Sequence, residues 1–180
     1  MHKAIFLDRD NTIIKDDGYF HDPDAIVFMP GAIEGLRELH RAKFLLFIIT
    51  NQSGVGRGYF PESDVVAVHE KITAVLKEQK APIEKIYYCP HTPEDNCPCR
   101  KPKPFLIFKA AQEFDIDLAK SFFIGDHMKD MEAGQGAGTA TAWVGPPDKS
   151  SESSLIDLSA SDIHEAAIKI ISHETLHRSV

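Results

Sequence analysis

The sequence has no long hydrophobic run and no excess of basic residues, and each absence excludes a class of function. No stretch of the 180 residues approaches the ~20 apolar residues that a membrane span requires. The N-terminal residues MHKAIFLDRDN contain no signal peptide, so we expect a cytoplasmic protein. Lys and Arg number 20 against 27 Asp and Glu, and the net charge is −7. Because nucleic-acid and membrane surfaces require basic partners, the sequence predicts neither interaction.

Cysteine is also scarce, and all three cysteines lie within one short segment. Cys89, Cys97 and Cys99 surround His91 in the pattern Cys-x-His-x5-Cys-x-Cys. A disulfide or unused thiols are the alternatives, but the odd count, the tight spacing and a reducing compartment disfavour them. Three thiolates and one imidazole form a complete tetrahedral ligand set for Zn²⁺. The sequence therefore predicts a structural zinc loop over residues 89–99.

Short apolar runs alternate with helical patterns along the chain. The runs predict five strands: Ala4–Leu7, Phe44–Thr50, Lys85–Tyr88, Phe122–Gly125 and Thr139–Val144. The helical patterns cover Ala32–Ala42, Glu62–Lys80, Pro104–Phe114, Met128–Gln135 and Asp162–Ser172. This alternation predicts one α/β domain over residues 1–180, with a doubly wound, mostly parallel sheet that binds ligands at the carboxyl ends of its strands. We expect a polar loop at 146–154, a frayed tail from about residue 173 and a monomer.

Polar residues follow three of the predicted strands. Asp8 and Asp10 follow the first, Thr50 and Asn51 end the second, and Asp126 follows the fourth. Each has a simpler explanation in isolation: a solvated turn, a Gly-rich turn, or a helix N-cap at Asp126. Lys101 alone is most simply a solvated charge. Together, however, they combine hard oxygen ligands for Mg²⁺ with donors for phosphate, which is the chemistry that an aspartyl-phosphate mechanism requires.

The order of these motifs, DxD, Thr, Lys and GDxxxD, resembles the haloacid dehalogenase (HAD) superfamily of phosphotransferases. The stretches DRDNT…DDGY, TNQSGVGRGYF and the Cys/His loop ending in CRKP resemble the D-glycero-D-manno-heptose 1,7-bisphosphate phosphatases within it. The resemblance covers residues 3 to 145. It implies a Rossmann-like fold with a zinc loop instead of a cap domain, and removal of the C7 phosphate in the biosynthesis of nucleotide-activated heptose. The sequence does not give the anomer, which separates the route to lipopolysaccharide core from the route to surface-layer glycans.

The resemblance also implies roles for individual residues. Asp8 is the expected nucleophile and Asp10 the general acid and base. Mg²⁺ is expected at Asp8, the Asp10 backbone carbonyl and Asp126, with Asp130 behind them. The residues expected to bind the small phosphorylated sugar are Arg9, Asp16, Asp17, Gly18, Tyr19, Thr50, Asn51, Gln52, Ser53, Arg57, Arg100, Lys101 and His127. The zinc loop is expected to fix the entry of Arg100 and Lys101 and to act on substrate closure and not on chemistry.

Two residues depart from the family pattern, and the spacing of the Cys/His loop matches that of a related family. Asn11 stands where the family usually has Gly, and His127 stands where it usually has Lys. The five residues between His91 and Cys97 match the spacing of the related histidinol-phosphate phosphatases, whereas NQSGVGRGYF favours the heptose enzymes. Histidinol phosphate and other small sugar phosphates therefore stay open as substrates. A phospho-accepting receiver domain and a zinc-loop interaction module are less consistent with Asp8 on the first strand and with the acidic charge.

Overall fold

The computed structural model describes residues 1–146 and 153–177, with side chains to residue 174. Its centre is a six-stranded, wholly parallel sheet in the order β3-β2-β1-β4-β5-β6. The strands are β1 Ala4–Leu7, β2 Leu45–Asn51, β3 Lys85–Cys89, β4 Phe122–Gly125, β5 Ala140–Val144 and β6 Leu158–Ala160. The doubly wound parallel fold is confirmed, with six strands instead of the five predicted.

The helices cover both faces of the sheet. They are α1 Ala32–Arg41, α2 Ser53–Gly56, α3 Glu62–Glu78, α4 Phe105–Phe114, α5 Met128–Ala137 and α6 Ile163–His177. Side chains from α1, α3 and α6 pack with Ile5 and Leu7 on one face. Side chains from α4 and α5 pack with Ala4 and Phe6 on the other. Successive residues of β1 point to opposite faces of the sheet, and helices cover both faces. All four residues of β1 are therefore apolar and fully buried, as the sequence predicted.

Two parts of the prediction need correction. Strand β6 was missed because a three-residue edge strand is too short to show a periodic pattern. The tail predicted to fray from about residue 173 is instead helical as far as His177. Residues 147–152 of the predicted polar loop and residues 178–180 lie outside the described residues. Among residues 1–146 and 153–177, no helix has the length and apolar content of a membrane span.

The topology decides where a ligand binds. After β1 the chain moves outward through β2 to β3, and it then returns to place β4 on the other side of β1. In an open parallel sheet, the crevice at this change of direction, outside the carboxyl ends of the strands, is the usual ligand site. Here Asp8 directly follows β1 and Asp126 directly follows β4, so both carboxylates stand at the crevice.

Candidate active site

Three carboxylates meet at this crevice. One oxygen each from Asp8, Asp126 and Asp130 lies within 4.8 Å of the others. Gly125 makes this approach possible, because a Cβ there would lie 2.4 Å from Asp130 Oδ2. Burial and then Asp8 raise the pKa of Asp126 to about 6, and burial raises the pKa of Asp130 to about 7. Lys101 opposes both shifts but does not cancel the effect of burial.

Lys101 is the cation at the centre of the cluster. Its ammonium lies 2.6 Å from Asp130 Oδ1 and 2.8 Å from Asp8 Oδ1, and only 3% of its side chain is exposed. Burial alone would lower its pKa, but Asp130 and Asp8 outweigh that effect and raise the pKa of Lys101. One cation for three carboxylates leaves the site formally negative. A hard divalent cation such as Mg²⁺, which prefers carboxylate oxygens, fits this deficit.

Asp10 is held separately from the three clustered carboxylates. Arg9 Nε and Nη2 both lie 2.7 Å from Asp10 Oδ1, and Gln52 Nε2 donates to Asp10 Oδ2 over 2.8 Å. Burial raises the pKa of Asp10 above its ordinary value; Arg9 opposes the shift and Asp8 adds to it. Two arginine N–H groups point at Oδ1 and one amide N–H at Oδ2, so Oδ2 is the oxygen with more room for a proton. The general-acid role of Asp10 stays a prediction that this arrangement permits.

Arg9 is not placed where the sequence predicted. It was expected to bind substrate, but it is fully buried and has no exposed surface in this structure. Residue 9 continues the alternation of β1, so its side chain lies on the same side as Ile5 and Leu7. Its Nη2 also donates to the backbone oxygen of Phe20. The structure therefore makes Arg9 a support for Asp10.

The polar residues at the end of β2 form hydrogen bonds with Lys101 and Asp10. The Asn51 side chain forms a pair of hydrogen bonds with the Lys101 backbone, at 3.0 and 3.1 Å. Gln52 Nε2 donates to Thr50 Oγ1 as well as to Asp10. Thr50 and Gln52 are almost fully buried, whereas Asn51 lines the pocket beside Asp8. Asn51 and Gln52 thus have a positioning role that sequence reasoning missed, whereas their contact with substrate stays a prediction.

The four predicted zinc ligands converge. Cys97 Sγ lies 3.4 Å from the Sγ atoms of Cys89 and Cys99, and His91 Nδ1 lies 3.6 and 3.4 Å from those same two sulfurs. Ligands bound at ~2.0–2.3 Å in a tetrahedron are separated by roughly 3.5–3.8 Å. The three cysteines are free thiols and form no disulfide with one another. The cluster could therefore hold Zn²⁺ through three thiolates and His91 Nδ1.

The Cys/His loop is connected to Asp10 through Gln52. The backbone N–H of Gln52 donates to Cys89 O over 2.7 Å, and that of Gly56 donates to Pro90 O over 2.9 Å. A Cβ on Gly56 would lie 2.8 Å from Pro90 O, so the close approach requires glycine. Because the Gln52 side chain also donates to Asp10 Oδ2, one residue links the backbone of the loop to Asp10.

The residues expected to contact the rest of the substrate form a separate rim. Asp16, Asp17, Gly18 and Tyr19 line a pocket beside the one that contains Asp8. Asp16 Oδ1 accepts hydrogen bonds from the backbone of Gly18 and Phe20, and Asp17 pairs with Lys15 at 3.1 Å. The Tyr19 ring packs edge-on against Tyr59 at 4.8 Å between ring centres. The DDGY and GRGYF stretches therefore meet at this rim.

Three further predicted substrate residues lie on or beside the Cys/His loop. Arg57 Nη2 is 4.0 Å from Glu94 Oε2, and Arg100 Nη1 donates to His91 O over 3.1 Å. Ser53 begins the short helix α2. None of these three lines the pocket that contains Asp8. They stay predictions for the part of the substrate beyond the reacting phosphate.

The two departures at the site have clear local roles. Asn11 has a φ of 55°, a left-handed conformation that asparagine tolerates, and it lines the pocket. His127 caps α5, with Nδ1 accepting a hydrogen bond from Lys129 N, and it also lines the pocket. Burial, and then Lys129, lowers the pKa of His127. Lys129 itself lines the pocket and was missed, although it stands within GDHMKD three residues after Asp126.

Comparison with known proteins agrees with this geometry. The family described as polynucleotide kinase 3 phosphatase matches residues 3–175. The D-glycero-beta-D-manno-heptose-1,7-bisphosphate 7-phosphatase of Pasteurella multocida is 44% identical over 143 residues, covering 76% of this chain and 78% of its own. The D-glycero-alpha-D-manno-heptose-1,7-bisphosphate 7-phosphatase of Campylobacter jejuni is 43% identical over 139 residues, covering 77% and 80%.

A solved structure extends the match to almost the whole chain. The D,D-heptose 1,7-bisphosphate phosphatase from B. bronchiseptica, complexed with magnesium and phosphate, has a TM-score of 0.86 at 31% identity and covers 95% of this chain and 99% of its own. The doubly wound sheet and its acidic crevice define an enzyme of the HAD class, a phosphoric monoester hydrolase. Within that class, the chain belongs to the heptose-1,7-bisphosphate phosphatase family.

Proposed function

We propose that this protein is a Mg²⁺-dependent phosphatase that removes the C7 phosphate of D-glycero-D-manno-heptose 1,7-bisphosphate. The observation that carries the proposal is the cluster of Asp8, Asp126 and Asp130 around Lys101, in a chain of this family. When bound there, Mg²⁺ would offset the repulsion between Asp8 and a phosphate dianion. The reaction would serve the biosynthesis of nucleotide-activated heptose. The cytoplasmic location and the monomeric state stay predictions from the sequence.

The residues divide the reaction into two steps. In the first, an Asp8 carboxylate oxygen forms a bond to phosphorus, and the bond between phosphorus and the sugar oxygen breaks. Asp10 gives its proton to that leaving oxygen, and Lys101 balances the charge on Asp8. In the second, Asp10 takes a proton from water, the water oxygen attacks phosphorus, and Asp8 is released with inorganic phosphate. Arg9 and Gln52 hold Asp10 in position for both transfers.

The Cys/His loop is proposed to bind Zn²⁺ in a structural role. Its four ligands leave no open coordination position for a substrate. Through Cys89 O the loop supports Gln52, and it precedes Arg100 and Lys101 in the chain. The expectation that zinc acts on substrate closure and not on chemistry stays a prediction, and the contact of Cys89 O with Gln52 supports an additional effect on the position of Asp10. Loss of zinc is expected to lower kcat as well as to raise KM.

The function is tested by phosphate release from a panel of substrates in the presence of Mg²⁺. The panel contains the α and β anomers of heptose 1,7-bisphosphate, histidinol phosphate and a 3′-phosphorylated oligonucleotide. We expect kcat/KM to be highest for one of the two bisphosphates. The relative named for the β anomer is 44% identical to this chain and the relative named for the α anomer is 43% identical. Sequence identity therefore does not distinguish the anomers, and the kcat/KM values do. Highest activity on histidinol phosphate would agree with the short His91–Cys97 spacing and would refute the heptose proposal.

Asp10→Asn is expected to reduce kcat/KM for the heptose bisphosphate by ~10²–10⁴-fold, because asparagine has no proton to give to the leaving oxygen. The loss should be much smaller with p-nitrophenyl phosphate, whose leaving group is stable as an anion. Asp24→Asn is a matched control on an exposed turn and should behave like the wild type. An effect of Asp10→Asn on KM alone would contradict the assigned role.

The two proposed metals are expected to respond differently to chelation. Brief treatment with EDTA should abolish activity by removing Mg²⁺ from the open carboxylate site, while the thiolate site retains its zinc. Added Mg²⁺ should restore activity at constant zinc content, which mass spectrometry of the metals can measure. Restoration by Zn²⁺ but not by Mg²⁺ would mean that the two sites have been assigned wrongly.

A further inference from the structure

One buried histidine has no part in the reaction described so far. The face of α3 turned toward the sheet carries Val65, Val68, His69, Ile72 and Leu76, all buried. Four of these five side chains are apolar, and His69 is only 6% exposed. A polar group in such a position has to find a hydrogen-bond partner, because an unpaired buried polar group is costly. The identity of that partner indicates what His69 does.

The partner is Arg9. Arg9 Nη1 lies 3.4 Å from His69 Nε2. A guanidinium has only donors, so Nε2 has to be the acceptor, and the ring is then neutral with its proton on Nδ1. The same state follows from the surroundings, since burial and then the charge of Arg9 lower the pKa of His69 to about 3.

His69 completes the coordination of a fully buried cation. The guanidinium Nε and Nη2 contact Asp10 Oδ1, and Nη2 also donates to Phe20 O. Its Nη1 donates to His69 Nε2. The Tyr88 ring packs against the imidazole at 5.2 Å, and the Thr73 hydroxyl donates to the His69 backbone oxygen. The Tyr88 ring therefore restrains the imidazole, and Nε2 offers Arg9 Nη1 an acceptor at a defined position.

We propose that His69 is a positioning residue for the phosphatase reaction: it fixes the Arg9 guanidinium through Nη1 and thereby orients the Asp10 carboxylate toward the leaving oxygen. The inference rests on the proposed function, in which Asp10 is the general acid. It predicts that the effect of His69 depends on how much the leaving group needs a proton. A residue that only stabilised the fold would not produce that dependence.

The test compares His69→Leu and His69→Gln on two substrates. Leucine removes the acceptor, whereas the glutamine amide oxygen can replace Nε2. We expect His69→Leu to lower kcat/KM for the heptose bisphosphate by roughly 10-fold or more, below the ~10²–10⁴-fold effect of Asp10 itself. The loss with p-nitrophenyl phosphate should be severalfold smaller, and His69→Gln should recover most of the activity.

Controls separate positioning from stability. Val68→Ala removes buried volume from the adjacent position of α3 and should lower stability without changing the ratio of the two kcat/KM values. If His69→Leu does not fold, His69→Asn, which is too short to reach Arg9, takes its place.

Equal losses of kcat/KM on both substrates would overturn the proposal. If Asp10→Asn also lacked the leaving-group dependence, the proposed function would fail with it; if only the His69 variants lacked it, the proposed function would stand.

Discussion

Asp8→Asn is expected to reduce phosphate release from the heptose bisphosphate by at least ~10⁴-fold, the scale seen when a nucleophile is removed. Asn and Asp are nearly the same size, so the site keeps its shape while losing the attacking oxygen. Asp8 directly follows β1, and its Oδ1 lies 2.8 Å from the Lys101 ammonium. Binding of inorganic phosphate should survive, because the substitution removes a negative charge from the pocket.

A covalent label makes this experiment decisive. Wild-type enzyme quenched in acid after mixing with ³²P-labelled substrate should retain label on protein, and so should Asp10→Asn, in which hydrolysis of the intermediate is slowed. Asp8→Asn should retain none. The exposed Asp24→Asn is the matched control for the same chemical change. Activity of Asp8→Asn within tenfold of the wild type would remove Asp8 from its role as the nucleophile.

Lys101→Met is expected to impair both stability and catalysis. It preserves the length of the side chain but leaves Asp8 and the buried Asp130 without their cation. Breaking a buried ion pair from one side costs about 3–5 kcal/mol of unfolding free energy. Loss of a charge that stabilises the transferring phosphate lowers kcat by ~10²–10³-fold. Urea denaturation and phosphate release measure the two effects.

A second substitution separates the two effects of Lys101. Asp130→Asn in the Lys101→Met background removes the unpaired buried charge, so the double variant should regain much of the lost stability but none of the activity. Lys120→Met is the matched control, because Lys120 is 74% exposed in its ion pair with Asp117 and surface pairs contribute ~1 kcal/mol or less. If Lys101→Met lost only ~1 kcal/mol of unfolding free energy, the burial of its ion pairs with Asp8 and Asp130 would be contradicted.

The sequence predicted those parts of the molecule that depend on local pattern. Continuous apolar runs located β1, β2 and β4, and the polar residues that follow them indicated the crevice where Asp8 and Asp126 meet. The five predicted helices begin within one residue of their predicted starts, because Pro, Gly and polar residues mark those ends. The Cys/His spacing similarly indicated four ligands that the structure brings together.

The parts that were not predicted depend on contacts between distant elements. Nothing in DRD shows that Arg9 points into the protein toward α3 while its neighbours face the crevice. Asn51 and Gln52 look like phosphate donors in sequence, yet they also hold Lys101 and Asp10 across 50 and 42 residues. For His69, the only signal was a polar side chain on an apolar helix face, and its partner was set by tertiary packing.

The most direct test of the central claim is ³¹P NMR of heptose 1,7-bisphosphate, followed during turnover with Mg²⁺. The proposal predicts that the C7 phosphate resonance disappears, inorganic phosphate appears in equal amount, and the C1 phosphate resonance stays intact. The Asp8→Asn variant should leave both sugar phosphate resonances unchanged. Loss of the C1 phosphate, or no release of phosphate from either anomer, would contradict the proposed activity.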